Sequence, residues 1–329
     1  MKQGGERKMR KFGRMTIYFI LVIIFIILIS FTAECASMTE KAEKNKAVIR
    51  RFADLWNTGN LAIADEIFDI DFVNHSPGNS EISNLESFKG LVTEIRSGFP
   101  DFRVTPDDLI AEEDNVAIRW TVNATHQGEL MGIPATGKQI AWVGITMAHF
   151  ADGKIVEMWW SEDHLGMLQQ LGVIPPMPDA PAPLQRTTLE DCAWGPCSKV
   201  TGDPGELGKN KAMVLYEEFE GWVKGNLDAT LEAISPDFIN HDPIWPGVTD
   251  YESYKEYIAL DFEPIDLSVD DLIAEGDKVA ERWTIDMGEG VTLSGMSIHR
   301  FADGKIVERW WSKDLLEMLQ QEGVIPPLG

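Results

Sequence analysis

Cysteine is scarce in this chain, with three in 329 residues. Cys192 and Cys197, in EDCAWGPCSKV, can close a small disulfide loop in an oxidising compartment or stay as free thiols, and no further Cys or His lies near them to complete a zinc site. Basic residues are also few: 29 Lys and Arg face 53 Asp and Glu, for a net charge of -24. Six of the basic residues sit in the first 37 positions beside only Glu6 and Glu34, so the remaining 292 positions hold 23 basic and 51 acidic side chains. Such a body repels phosphate backbones. With no basic stripe or aromatic RNA-binding motif to offset it, nucleic acid is excluded as a partner. No Gly-rich phosphate loop, metal-ligand cluster or nucleophile elbow occurs, so the commonest enzyme classes built on them are excluded and no cofactor is implied. Acid–base chemistry on a small organic molecule is left.

What is present begins with MTIYFILVIIFIILISF, Met15 to Phe31, 17 uncharged residues that follow Lys2, Arg7, Lys8, Arg10, Lys11 and Arg14. A run that is apolar on every face after a basic flank is a membrane-targeting segment, at the lower edge of spanning length and the upper edge of a signal-peptide core. Residues 1–37 are therefore expected to be a signal or anchor that touches the membrane. The N-terminus is then cytoplasmic if uncleaved, and the rest is extracytoplasmic, secreted or membrane-anchored. Cys35 follows SFTAE, which is similar to a bacterial lipoprotein signal except that Glu34 stands where a small residue belongs.

The rest of the chain is a tandem duplication. FADGKIVEMWWSEDHLGMLQQLGVIPP, Phe150 to Pro176, recurs 151 residues later as FADGKIVERWWSKDLLEMLQQEGVIPP with 22 of 27 positions identical. The length agrees, at about 150 residues per domain. The first domain spans 41–176, a Pro/Gly-rich linker carrying Cys192 and Cys197 spans 177–208, and a second, shortened domain spans 209–327. In the first, NKAVIRRFADLWNTGN sets Val48, Phe52, Leu55 and Trp56 at helical spacing with Gly59 as its cap, and LAIADEIF and NLESFKGLVTEIRSGFP read as further helices. Four segments rich in β-branched and aromatic residues follow, with turn signals between them. Helices first and strands afterwards predict an α+β fold: two tandem cones, each a curved, mostly antiparallel sheet wrapped around its first long helix.

RRFADLWNTGN, FVNHSP, RWTVNATHQGELMGIPATGKQI, HFADGKIVEMWW and DHLGMLQQLG resemble the SnoaL-like polyketide cyclases, or ester cyclases, over about Asn45 to Pro176, and in weaker form over Asn210 to Pro327. The resemblance implies the nuclear transport factor two-like cone and an aldol closure in which a carboxylate takes a proton from carbon beside a carbonyl. In the family that aspartate lies seven residues after the glycine of the last hairpin, a position held here by Trp160 and Trp311. The polar partners facing it, one of them a histidine, fall on Gly144 and Thr146, and on Gly295 and Ser297 in the second unit.

Strand alternation sets Trp160 and Met158 on one side and Glu157, Trp159 and Ser161 on the other. Asp163 is placed to cap the terminal helix, and a strand-end bulge would turn it into the cone as a base. His126, matching a family histidine and sharing parity with Trp120 and Val122, is the other catalytic candidate. Trp56, Asn74, His75, Trp120, Trp142, Thr146, Met158 and Trp160 are the expected ligand-binding residues. His75 and His241, each in an NH pair, either line the cavity or tie down loop backbone. Arg119 and Arg282 are expected to pair with nearby carboxylates.

Three readings result: a module binding a small apolar or polycyclic carbonyl compound in the first cone, an acid–base cyclase, isomerase or lyase, and an assembly domain. The first unit spends 29 residues between its RWT strand and final hairpin and the second 17, so the second is expected to be structural, more open or filled by its own side chains. It should pack against the first as members of this fold pair in homodimers, with further homo-oligomerisation left open.

Overall fold

The computed structural model describes residues 38–76, 82–175, 206–260 and 262–326. The apolar leader, Cys35 and the Cys192/Cys197 pair lie outside these residues, and among the described residues no helix is long and apolar enough to cross a membrane.

Helix α1 (38–58) buries Ile49, Phe52, Ala53 and Leu55 along one face and ends at Gly59, whose φ of +69° suits a residue without Cβ. Helix α2 (Ala62–Ile67) turns the chain into β1 (Phe68–Asn74). Helix α3 (Leu85–Gly98) starts on a reciprocal cap between Asn84 and Ser87. Then come β2 (Arg103–Glu112), β3 (Asn115–Thr125), β4 (Gln139–Ala151), β5 (Lys154–Glu162) and α4 (His164–Leu171). The sheet order is β1-β5-β4-β3-β2, antiparallel except that β1 joins β5 in parallel. The expected order of helices first and strands afterwards is corrected here. The FDIDFVN segment leaves the helical part early to cover the free edge of β5.

The second domain repeats the plan with α5 (Glu206–Tyr216), α6 (Leu227–Ala233), β6 (Ile234–His241), α7 (Tyr251–Ile258), β7 (Asp266–Glu275), β8 (Lys278–Gly288), β9 (Val291–Ala302), β10 (Lys305–Lys313) and α8 (Leu315–Gln321). Glu206 to Gly208 belong to α5 and not to the linker. Two differences matter. The long β3–β4 connection of the first domain shrinks to a tight hairpin at Glu289 and Gly290, both at positive φ. The first helix gains one residue: NKAVIRRFADLWNTGN has 16 residues and NKAMVLYEEFEGWVKGN has 17. The helix absorbs the insertion by continuing α5 as π-helical turns, Glu217–Val223, in which Lys224 N–H reaches Phe219 O and Asn226 N–H reaches Gly221 O.

The two sheets pack through their outer faces. Ile110, Ala117, Ile145 and Met147 of the first meet Ile273, Ala280, Met296 and Ile298 of the second in one buried cluster, edged by Trp159 and Trp310. The contacts are reciprocal. Arg119 lies over Trp310 at 4.7 Å and Arg282 over Trp159 at 4.9 Å. Edge strands β2 and β7 face each other, and a glutamate from each takes a main-chain N–H of the other: Ala274 donates to Glu112 and Ala111 to Glu275, both at 2.9 Å. Lys211 and Lys46 neutralise the two carboxylates. The expected intramolecular pairing is thus a set of named contacts.

Inside each cone one indole rests on a glycine of the neighbouring strand. A Cβ on Gly144 would fall 2.3 Å from the Trp120 ring and 2.8 Å from Ser161 O. Gly144→Ala is therefore expected to destabilise the protein by about 1–3 kcal/mol, read as a lower midpoint in denaturant melts, whereas Gly153→Ala, with open space around it, pays only for its φ of +76°.

Candidate functional site

Where the sheets cross, each has two buried faces, so alternate residues of the strands there serve different chemistry. In β5 the cone face carries Met158 and Trp160, both buried, and the junction face carries Trp159 and Ser161. Trp160 sits edge-on to Phe88 at 6.3 Å, and its main-chain N–H donates to the Ser76 hydroxyl. Trp120 donates to Thr146 at 2.9 Å. Trp56 and Trp142 pack on Phe102. These residues line one aromatic interior, as expected. Asn74 lies at the rim, accepting from the Ser76 N–H.

His75 does not. It stacks on Trp159 at 4.7 Å and bonds Glu157 on the exposed side of the junction, and His241 does the same on Trp310 with Glu308. Register explains this: Asn74 lies beside Met158 and His241 beside Trp310, so each histidine falls next to the outward-facing indole of the neighbouring strand. Arg119 and Arg282 meet Asp107 and Asp270 as expected, and also cross to the other domain's tryptophan.

Asp163 caps α4 by accepting from Gly166 N–H at 2.8 Å and is not turned into the cone. Burial raises its pKa, opposed by that same bond. His126 is fully buried against Phe99, hydrogen-bonded through Nδ1 to Thr136, with no partner at Nε2. Burial lowers its pKa, so it is neutral at pH 7.

Sequence reasoning missed Glu162, although the alternation that set Trp160 inward continues two residues further to this carboxylate. It accepts from Trp142 Nε1 at 2.8 Å and pairs with His164 at 3.1 Å. Burial opposes charge on both, yet their pairing lowers the Glu162 pKa and raises that of His164 to about 9. Asp314 of the second domain faces the same histidine. Burial, against a hydrogen bond from Ser294, pushes it to about 7.

The larger surprise is the second cone, expected to be structural. Five positions that are apolar in the first cone are ionisable or polar here. Counted from the start of the helix Glu217 takes the place of Phe52, and counted from its end Glu218 does, because the inserted residue turns both inward. Tyr254 replaces Phe88, Glu281 Ile118, His299 Ala148 and Arg309 Met158. Glu217, Glu281, His299 and Arg309 are fully buried, and Glu218 and Tyr254 nearly so.

They form one chain. Arg309 bonds Glu217 through Nη2, donates from Nη1 to the Tyr254 hydroxyl at 3.2 Å, and donates from Nε to His299 Nδ1 at 3.0 Å. That last bond requires Nδ1 without a proton, so His299 Nε2 carries the hydrogen; it lies 3.2 Å from Glu281 Oε1 but is not aligned for a hydrogen bond, and both Glu281 oxygens are without one. Glu218 is held well above the usual carboxylate range, first by burial and then by Glu281 and Glu217 beside it. Burial thus favours its protonated form beside Glu281. The signals in the sequence were the inserted helix residue and polar types at inward parity. Trp311, which holds the family's aspartate position, lies 5.0 Å from the Arg309 guanidinium and donates to Asn240 at 2.9 Å.

Comparison with known proteins divides along the same boundary. Residues 46–171 match the model described as SnoaL-like polyketide cyclase, and residues 216–309 match the SnoaL-like domain. Aklanonic acid methyl ester cyclase DnrD of Streptomyces peucetius is 29% identical over 138 residues, 40% of this chain and 93% of that protein. The DauD cyclase of Streptomyces sp. (strain C5), of the same name, is 29% identical over 46% of this chain and 87% of its own length. The crystal structure of AclR from Streptomyces galilaeus is 33% identical, covering 42% of this chain and 86% of that one, with a TM-score of 0.39.

The junction charges predict a pH dependence. A carboxyl raised from 3.8 to about 7 binds a proton in the folded state that the unfolded chain has released, so its stabilisation is present below pH 3.8 and lost as pH rises toward 7. Asp314→Asn is expected to flatten the fall in stability over that window, on the order of 1 kcal/mol per pH unit, in urea titrations at pH 4 to 7. His164 adds a second loss between 6.5 and about 9, which His164→Gln removes.

Proposed function

We infer, for a chain that belongs to the SnoaL-like family and carries its domain twice in tandem, that it performs acid–base chemistry on a small organic carbonyl compound, with the second cone as the acid–base centre. The observation that carries this reading is the replacement of five inward apolar positions by Glu217 with Glu218, Tyr254, Glu281, His299 and Arg309.

Burying such groups costs several kcal/mol per ion before pairing, and an apolar filling like that of the first cone would serve stability as well or better. The set divides into roles. Glu281 accepts a proton from carbon beside the carbonyl as the C–H electron pair forms the C=C bond of the enolate and the carbonyl π pair moves onto oxygen. Glu218, neutral through burial, and Tyr254, whose oxygen accepts from Arg309 and so leaves its own hydrogen free, donate to the oxygen that becomes negative. A neutral carboxylic acid beside a phenol is the donor pair that ketosteroid isomerase uses, as the handling of an enolate requires. His299 Nε2–H steadies Glu281 and Arg309 balances Glu217. The proton then returns from Glu281 to carbon or to a leaving oxygen.

A second reading is supported by Trp160. In the domain similar to the ester cyclases the place of the base is an indole within an aromatic interior, which suits holding a flat apolar or polycyclic compound. Glu162 is the carboxylate that would act there. Export on the segment from Met15 to Phe31 is part of either reading, supported by its length and basic flank.

The test uses aklanonic acid methyl ester, the compound named for the relatives, with the full chain in deuterated buffer. Cyclisation or deuterium uptake beside the carbonyl is expected, falling about 100-fold or more in Glu281→Gln and little in Glu162→Gln. The opposite ranking of the two variants, with circular dichroism unchanged, moves the chemistry to the first cone and sinks this assignment.

A further inference from the structure

Between the two domains lies a pocket of about 380 Å³, within the range of small-ligand sites. Neither domain makes it alone. Arg119, Val143, Gly144 and Ile145 come from the first, and Trp245, Trp310 and Trp311 with the loop from Asn240 to Thr249 from the second.

Its charges are already matched. Arg119 pairs with Asp107, His241 with Glu308, and Asp242 with Lys313, whose ammonium also lies 3.9 Å from the centre of the Trp245 ring. What remains without a partner is one kind of group: Arg119 Nε–H and Trp245 Nε1–H are both buried donors that meet no acceptor. Three indoles, two prolines and four β-branched side chains make up most of the remaining wall.

We propose that this pocket is a second ligand site, created by the tandem arrangement, for an uncharged planar aromatic compound that bears a carbonyl oxygen. The ring system lies among Trp245, Trp310 and Trp311, and the oxygen accepts from the Arg119 and Trp245 N–H groups. A charged ligand fits less well: a carboxylate would compete with Asp107 for Arg119 and face Asp242, and an ammonium would face Lys313 and Arg119. The assignment does not depend on chemistry in either cone, because it concerns binding at the face between them.

Fluorenone, planar and uncharged with one carbonyl, is the probe, titrated into the full chain by calorimetry and by the indole N–H signals in NMR. One molecule per chain is expected, with the Trp245 indole signal shifting most. Trp245→Phe keeps the ring and removes the donor, so affinity should fall about 5-fold, as for one neutral hydrogen bond. Val248→Trp fills the pocket and should abolish the shift at Trp245. Glu162→Gln and Glu281→Gln, one in each cone, should leave binding unchanged. No binding up to the solubility of fluorenone overturns the proposal. So does binding that survives Val248→Trp, or that responds to either cone variant, since the ligand would then sit elsewhere.

Discussion

Where the two sheets cross, both faces of each are buried, and much of the structure follows from that constraint. A β-strand that faces solvent on one side can carry any polar residue there, whereas in the crossing region each residue must fit either a cone or the junction. Adjacent tryptophans show the division. Trp159 and Trp310 serve the junction, each stacked by a histidine of its own domain and covered by an arginine of the other, while Trp160 and Trp311 serve the cones. The edge strands obey the same constraint differently. β2 and β7 meet without continuing one sheet into the other, because Glu112 and Glu275 take the N–H groups that a backbone would otherwise claim.

Within that frame the two cones differ in how they spend their interior. The first fills it with rings: Phe52, Phe68, Phe72, Phe88, Trp56 and Trp160 touch in a continuous series. The second holds a buried chain of Glu217, Arg309, His299 and Glu281, in which each member depends on the next for its charge or tautomer. Removing one partner strands a charge, so single substitutions in this chain should be harsher than replacement of the whole set by apolar residues. The shorter β8–β9 connection fits this difference. With polar groups deep in the cone rather than at its roof, the second domain has no equivalent of His126 and its loop to hold.

Much of the fold was legible in the sequence because it is written in periodicities and repeats: the helical spacing of Phe52 and Leu55, and the recurring hairpin at Gly153 and Gly304. β1 escaped although FDIDF alternates apolar and acidic residues, because the run is short, follows a helix without a turn signal, and leaves Ile70 exposed on an edge strand whose pairing with β5 is interrupted by a bulge. The site was half legible. Parity correctly sent Trp160 and Met158 inward, and carried two residues further it would have found Glu162. His75 was misplaced because its side is set by the pairing of β1 with β5, a strand pair that the sequence reading had not placed. The second cone was hidden by the choice of what to look for. Matching against a known aspartate position leads to Trp311 and stops there, while Glu281, His299 and Arg309 occupy positions that the first copy fills with Ile118, Ala148 and Met158.

Duplication gives a physical reason for that asymmetry. When two identical cones pair, any buried charge placed in one is placed in both, so its desolvation cost is incurred twice and the interior must serve packing and chemistry at once. Joining the copies in one chain breaks this coupling. The inserted residue in α5 illustrates the freedom. A single extra position converts the end of one helix to π-helical turns and brings two glutamates inward, and the first helix, which packs Phe52 at the same place, is unaffected. The ring-filled cone can then supply the stability that the charged cone forgoes, through the junction they share: Trp283, Leu315 and Leu316 of the second domain are continuous with the aromatic core of the first.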